Sequence, residues 1–143
     1  MVLVGCKKNE MVNIADTQDK TPIIEGKGYC HYHIYPNTGQ TLCAINDDLS
    51  IYNKKIAASS PSIHDYFNNT LCDSLKYLYV TAVSTGKTVK VAIRDKGGIA
   101  TNDFSVTEQH IMDISQEAFT ELDIDSVGYQ TGRIYIDWYV SNN

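Results

Sequence analysis

The chain has 143 residues, of which 43% are hydrophobic and 20% charged, so it can form one soluble domain with a single core. Its formal net charge of -5 argues against broad electrostatic binding of nucleic acid or anionic lipid, because those partners require clustered lysine and arginine. No apolar run has the length that a transmembrane helix needs.

The N-terminus carries a short motif and a polar stretch. The motif Leu3-Val4-Gly5-Cys6 resembles a bacterial lipoprotein processing site, in which the cysteine is lipidated. Only five residues precede Cys6, fewer than a signal peptide contains, so this interpretation requires a start further upstream. We predict a lipoprotein-like N-terminus and polar tether at residues 1–25, a folded domain at 26–143, and a secreted or cell-surface location.

The four cysteines Cys6, Cys30, Cys43 and Cys72 include no CxxC pair and therefore give no zinc-site signal. If Cys6 carries lipid, one disulfide and one free buried thiol among the other three is the simplest arrangement in an exported protein. The sequence leaves the pairing open, and we favour Cys43 with Cys72.

The first predicted strand, Tyr29 to Tyr35, alternates in character from residue to residue. The less polar set should face the core, and the other set should face outward. The predicted core set is Cys30, Tyr32 and Ile34; the predicted outer set is Tyr29, His31 and His33.

A hairpin and a final strand follow. Leu75 to Val83 is rich in Tyr, Leu and Val, residues 84–87 offer a turn, and Thr88 to Arg94 alternates with period two. Arg133 to Val140 alternates most clearly of all. Its predicted core face is Ile134, Ile136 and Trp138.

Between these strands, residues 115–122 predict a helix of two turns. Ser115 is a good N-cap, and the apolar residues Ile114, Ala118, Phe119 and Leu122 have helical spacing. Short strands with one or two small helices favour a small barrel without a second domain.

The order of these pieces closely resembles the double-psi β-barrel domain of bacterial expansins, over about residues 26–140. The most specific features are Asp95, which ends the strand after the Gly-Lys-Thr hairpin, the run from Asp113 to Phe119, and the final strand with Trp138. The resemblance implies a mainly β protein, a six-stranded double-psi β-barrel with one or two short helices.

The barrel is also similar to those of rare lipoprotein A and the family 45 endoglucanases, which act on wall polysaccharides. The resemblance implies that Asp113 is the central catalytic or gripping residue and that Asp95 supports it. On its own, Asp113 also suits the start of a helix, where negative charge is favoured. The predicted first strand contains no carboxylate for a general base, so classical inverting hydrolysis is disfavoured.

The main functional hypothesis is therefore non-lytic binding and loosening of a wall polysaccharide such as cellulose, xylan or peptidoglycan. We expect a monomer that needs no cofactor and binds no nucleic acid, with membrane association only through a lipid anchor. The candidate substrate-binding residues are Tyr29, His31, His33, Tyr35 and Ser115.

His31 stands where expansins carry a groove threonine, and a histidine makes binding pH-sensitive. His31 and His33 have the spacing of a metal-ligand pair on a strand, yet neither His64 nor His110 completes a zinc signature, so we predict no metal site.

Two other functions stay open. A lytic transglycosylase of the rare lipoprotein A type would use Asp113 as general acid, and the motif at residues 94–98 resembles a turn of that family. A secreted protease-inhibitor or defence-type barrel would act through its loops. The stretch from Lys96 to Met112 is either a groove-side loop or an exposed insertion; as a groove-side loop it would offer Asp103, Glu108 and His110.

Overall fold

In the computed structural model, the residues described are 24–36, 38–53, 56–59, 63, 66–68, 70–96, 110–123 and 130–141. The proposed lipidation site Cys6 and most of the predicted tether lie outside these residues, as do His64, Asp103 and Glu108.

The described chain is mainly β with one α-helix, as predicted. The strands are β1 (Ile24–His33), β2 (Thr38–Gly39), β3 (Asp47–Asp48), β4 (Ile56–Ser59), β5 (Tyr77–Ala82), β6 (Thr88–Lys96), β7 (His110–Ser115) and β8 (Arg133–Ser141). A 3-10 helix covers Leu49–Tyr52, and the α-helix α1 covers Gln116–Leu122.

The long strands close into a barrel in the order β1-β7-β4-β6-β5-β8, and β8 pairs back onto β1. The sheet is mixed: β1 with β7 and β4 with β6 run parallel, and the other neighbours run antiparallel. The predicted hairpin is present as β5 and β6. Strands β2 and β3 form a separate two-stranded sheet.

The faces that the sequence predicted for β8 and α1 are part of the hydrophobic core. Ile134, Ile136 and Trp138 are buried on β8, and Ala118, Phe119 and Leu122 are buried on α1. The Trp138 ring lies against β1 at Gly26, where an added Cβ would be 2.7 Å from a ring carbon. Only glycine allows this close approach.

The predicted core face of β1 is correct in part. Cys30 is fully buried, and Tyr32 packs its ring against Phe119 at 5.2 Å between centroids. The prediction for Ile34 is wrong, because β1 ends at His33 and the Ile34 side chain is 65% exposed. The alternating pattern in the sequence continues to Tyr35, two residues beyond the end of the strand, and therefore predicted a buried position that the structure does not contain.

Both parallel strand pairs contain a register shift. Tyr29 pairs with His110 but Cys30 pairs with Met112, so Ile111 is an extra residue on β7. Ile111 and Met112 are both buried, which breaks the alternation and turns His110 to the same side as Asp113. On β6, Arg94 is skipped in the same way between Ile93 and Asp95.

The predicted disulfide is confirmed. Cys43 and Cys72 are bonded, while Cys30 is free and buried. A structural disulfide is typical of an extracellular protein. None of the helices in the described part of the chain is long and apolar enough to cross a membrane.

Candidate functional site

The two aspartates implied by the resemblance lie on either side of β4. Ala58 pairs with Asp95 of β6 on one side and with Asp113 of β7 on the other. Because neighbouring strands are about 4.8 Å apart, the two aspartate backbones are separated by about 10 Å. The fold thus brings both carboxylate-bearing positions to one region of the barrel surface.

Asp113 is hydrogen-bonded to His110. The Nε2 atom of His110 lies 2.8 Å from Asp113 Oδ1 and 3.0 Å from the Met112 carbonyl oxygen. Since a carboxylate and a carbonyl both accept, His110 Nε2 carries the hydrogen. Both side chains are half-buried, so the pair remains open to solvent on one side.

Two further histidines of β1 surround Asp113. The His31 ring stacks on His110 at 3.8 Å between centroids and 18° between planes, and His33 lies two residues further along. Burial raises the pKa of Asp113, but the hydrogen bond and charge of His110, with the charges of His31 and His33, outweigh it and lower the pKa overall. Asp113 is therefore a carboxylate acceptor near neutral pH.

The His31 pKa is lowered by burial first, then by the charges of His110 and Arg133, against the opposing effect of Asp113. His31 is therefore neutral near pH 7 and offers one nitrogen donor and one acceptor.

Asp95 has different partners. Its Oδ1 accepts a hydrogen bond from the Leu42 backbone N–H at 3.0 Å, and its side chain is hydrogen-bonded to Tyr35. Burial and the charges of Asp95 and Asp113 raise the pKa of Tyr35, so its hydroxyl stays protonated and donates. Tyr35 thus lies within electrostatic reach of both carboxylates.

Tyr29 borders this cluster. Its ring meets Tyr135 edge-on at 5.0 Å between centroids, and the Arg133 guanidinium lies 4.4 Å from its centroid. The Tyr29 ring therefore has a cation, the Arg133 guanidinium, over one of its faces.

Ser115 has a different role from the predicted one. Its side chain is fully buried and accepts a hydrogen bond from the Ala118 backbone N–H, as the N-cap of α1. A side chain with no exposed surface cannot contact a polymer. The structure therefore assigns Ser115 to folding.

The sequence offered His110 only as a residue of a possible groove-side loop and did not predict its contact with Asp113. The stretch Lys96 to Met112 was expected to be a loop or an insertion, yet Lys96 ends β6 and residues 110–112 begin β7; the residues between lie outside the described chain. Three residues apart on a regular strand, His110 and Asp113 would face opposite sides. A clue was available in the consecutive apolar residues Ile111 and Met112.

A short loop at residues 41–46, the disulfide loop, lies beside Asp95. Thr41 Oγ1 donates to Asp47 at 2.7 Å and accepts from the Cys43 and Ala44 backbone N–H groups. Asp47 also pairs with Arg94 Nε at 2.8 Å. With the disulfide, these bonds fix the loop while its side chains Leu42 and Ile45 are 54% and 77% exposed.

Two chemical properties follow from this arrangement. We use the name groove for the surface formed by Tyr29, His31, His33, Tyr35, Asp95, His110 and Asp113. It carries several hydrogen-bond acceptors and aromatic rings, and all of these residues except Tyr35 lie on β1, β6 or β7. His31, His110 and Asp113 also place three potential metal ligands close together.

No protein-family model matches the chain, and no curated protein matches it either. Among solved structures, the chain is similar to "Streptomyces papain inhibitor (SPI)" with 21% sequence identity and a TM-score of 0.59. The match covers 86% of this chain and 99% of that chain. At this level of identity the similarity concerns the fold.

Proposed function

We propose that the groove binds a cell-wall polysaccharide without cleaving it, as an expansin-like double-psi β-barrel would. The observation that carries the proposal is the alignment of Asp95 and Asp113 on the two sides of Ala58, with Tyr35 in reach of both charges. Carboxylates accept hydrogen bonds from sugar hydroxyls, and charge-assisted bonds of this kind are strong. The mixed barrel with two parallel pairs supports the double-psi assignment.

The contacts of the two carboxylates favour binding over hydrolysis. Asp113 is hydrogen-bonded to His110, and Asp95 is hydrogen-bonded to Leu42 N–H and Tyr35. An inverting glycosidase needs one carboxyl group that holds a proton and another that activates water. The hydrogen bond and charge of His110, with the charges of His31 and His33, outweigh burial and lower the pKa of Asp113, so Asp113 is poorly suited to be the group that holds the proton.

The test is a pull-down with washed cellulose, xylan and peptidoglycan, in the presence of a chelator, with analysis of released sugars. We expect the wild type to bind at least one polymer without releasing soluble sugar, and Asp113→Asn to bind about tenfold more weakly or worse. The matched control is Asp137→Asn, which removes an equal charge from an exposed site on β8. Equal binding by Asp113→Asn, or no binding by the wild type, would overturn the proposal.

The same experiment tests the transglycosylase alternative. That reaction requires a proton on Asp113 at the working pH, whereas the surrounding histidines lower the pKa of Asp113. Anhydro products from peptidoglycan that disappear in Asp113→Asn would establish this alternative.

A second candidate is inhibition of a protease through the disulfide loop. The supporting observation is the pair of exposed apolar side chains, Leu42 and Ile45, on a loop fixed by a disulfide and several hydrogen bonds. A preordered loop loses little conformational entropy when it enters a protease cleft. The structural similarity to a papain inhibitor directs this hypothesis to cysteine proteases.

Titration of papain with the wild type and with Leu42→Asp tests this candidate. We expect inhibition that weakens at least about tenfold in Leu42→Asp, since a charge in an apolar cleft is costly. Ile51→Asp, at an exposed site on the 3-10 helix, is the matched control. Papain activity unaffected by the wild type would exclude this function for that protease class.

A further inference from the structure

Three metal-ligating side chains meet on the outer surface of two paired strands. His31 of β1 is in register with Asp113 of β7, and the bulge at Ile111 brings His110 to the same side. We propose that His31, His110 and Asp113 bind one divalent transition-metal ion such as Zn²⁺.

The distances are close to those of a metal site. One potential ligand atom from each of His31, His110 and Asp113 lies within 4.8 Å of the other two. Zinc bonds of about 2.0–2.1 Å separate neighbouring ligand atoms in a tetrahedral site by about 3.3 Å. His110 Nε2 and Asp113 Oδ1 are 2.8 Å apart, so the ion would take the place of the hydrogen between them, and a neutral His110 would then carry its hydrogen on Nδ1.

The third ligand requires a small adjustment. In the stack, the rings of His31 and His110 are nearly parallel, so their nitrogen lone pairs do not converge on one point. Both side chains are only half-buried, and each can reach another staggered rotamer by rotation about its side-chain bonds. Metal binding should therefore convert the stacked pair into a tilted pair, while the backbone positions remain fixed by the strand pairing.

The donor set selects the class of metal. Two imidazole nitrogens and one carboxylate oxygen suit Zn²⁺, Cu²⁺ or Ni²⁺ better than Ca²⁺ or Mg²⁺, which prefer oxygen ligands. Three protein ligands leave a coordination position open toward solvent. This site goes beyond polysaccharide binding and does not depend on it.

The test is calorimetric titration of the untagged full chain with Zn²⁺ after treatment with a chelator, together with the visible spectrum of the Co²⁺-substituted protein. We expect one equivalent to bind and a tetrahedral Co²⁺ absorption band to appear. Replacement of an outer-shell partner already weakens metal affinity about 10–100-fold, so His110→Ala and Asp113→Asn should each lose at least about tenfold. Asp137→Asn, which removes the same charge elsewhere on the barrel, should bind as the wild type does.

Circular dichroism of each variant confirms folding before titration. Absence of stoichiometric Zn²⁺ binding to the folded wild type would overturn the proposal, and so would affinity unchanged in both ligand variants. Because the polysaccharide pull-down is performed with a chelator, it tests binding without metal. A failure of either experiment therefore contradicts only the proposal that this experiment tests.

Discussion

Asp95 and Asp113 occupy equivalent places in the barrel and have different surroundings. Each follows a register shift in a parallel strand pair, and each is paired with Ala58. Asp95 accepts from the backbone of the disulfide loop, whereas Asp113 lies among histidines. The comparison teaches that one carboxylate is bonded to a neighbouring loop while the other is bonded to a histidine of its own strand.

Removal of the disulfide should have the largest effect on stability, and it should change the surroundings of Asp95 while leaving those of Asp113 as they are. The Cys43→Ser, Cys72→Ser double variant lacks a crosslink between residues 29 apart in sequence, and we expect its free energy of unfolding to fall by about 2–4 kcal/mol. Urea denaturation measures the loss. The loop beside Asp95 should become mobile in NMR spectra, while the His31 and His110 signals should keep their positions; shifted histidine signals would show that the two sides are coupled.

Substitution of the aspartates themselves should have a smaller effect on stability. Asp95→Ala removes the acceptor of the Leu42 N–H bond, and we expect a loss of about 1–2 kcal/mol. Asp113→Ala removes a half-exposed pair with His110 and should cost less than about 1 kcal/mol. Thermal or urea unfolding of both variants measures the difference, and a larger cost for Asp113→Ala would reverse our assignment of roles.

Tyr35→Phe should have a smaller effect again. The variant keeps the ring and loses the hydroxyl that bonds Asp95, for an expected cost of about 0.5–1 kcal/mol. The stability loss should vanish in an Asp95→Ala background, because the bond is already missing there. A double-mutant cycle from urea denaturation measures this coupling, and an undiminished cost would mean that Tyr35 acts elsewhere.

The smallest expected effect is a difference in the pH dependence of stability between the wild type and Asp113→Asn. Its folded-state pKa is lowered, so its stabilising contribution is present above the unfolded-state value of about 3.9 and disappears as the pH falls through the folded-state pKa. The wild type should therefore lose more stability than Asp113→Asn on acidification below about pH 4. Thermal melting from pH 6 to pH 3 tests this, and parallel curves would contradict it.

Regular elements were predictable from local patterns. The alternation in β8 identified its buried face, and Ser115 with the apolar spacing after it identified α1. The disulfide was favoured from the sequence and is present. The buried face of β8 and the position of α1 follow from residue type and periodicity over a few positions, whereas the disulfide was a preference among pairings that the sequence left open.

The arrangement around Asp113 was not predictable in the same way. His110 joins Asp113 only because Ile111 is an extra residue in the pairing of β7 with β1, and no glycine marks that bulge. Pairing register is a tertiary property that depends on the partner strand. The prediction that Ile34 is buried was wrong for a related reason, since the end of pairing at His33 is set by the neighbouring strands.

The buried thiol of Cys30 can be used to measure local opening of the barrel. It is fully enclosed between Met112 of β7 and Ile134 of β8, and burial raises its pKa, so an alkylating reagent reaches a reactive thiolate only when these strands separate. In a Cys6→Ser background, the rate of Cys30 alkylation would measure how often β1 separates from β7 or from β8. A ligand held across β1 and β7 should slow that rate without touching the sulfur.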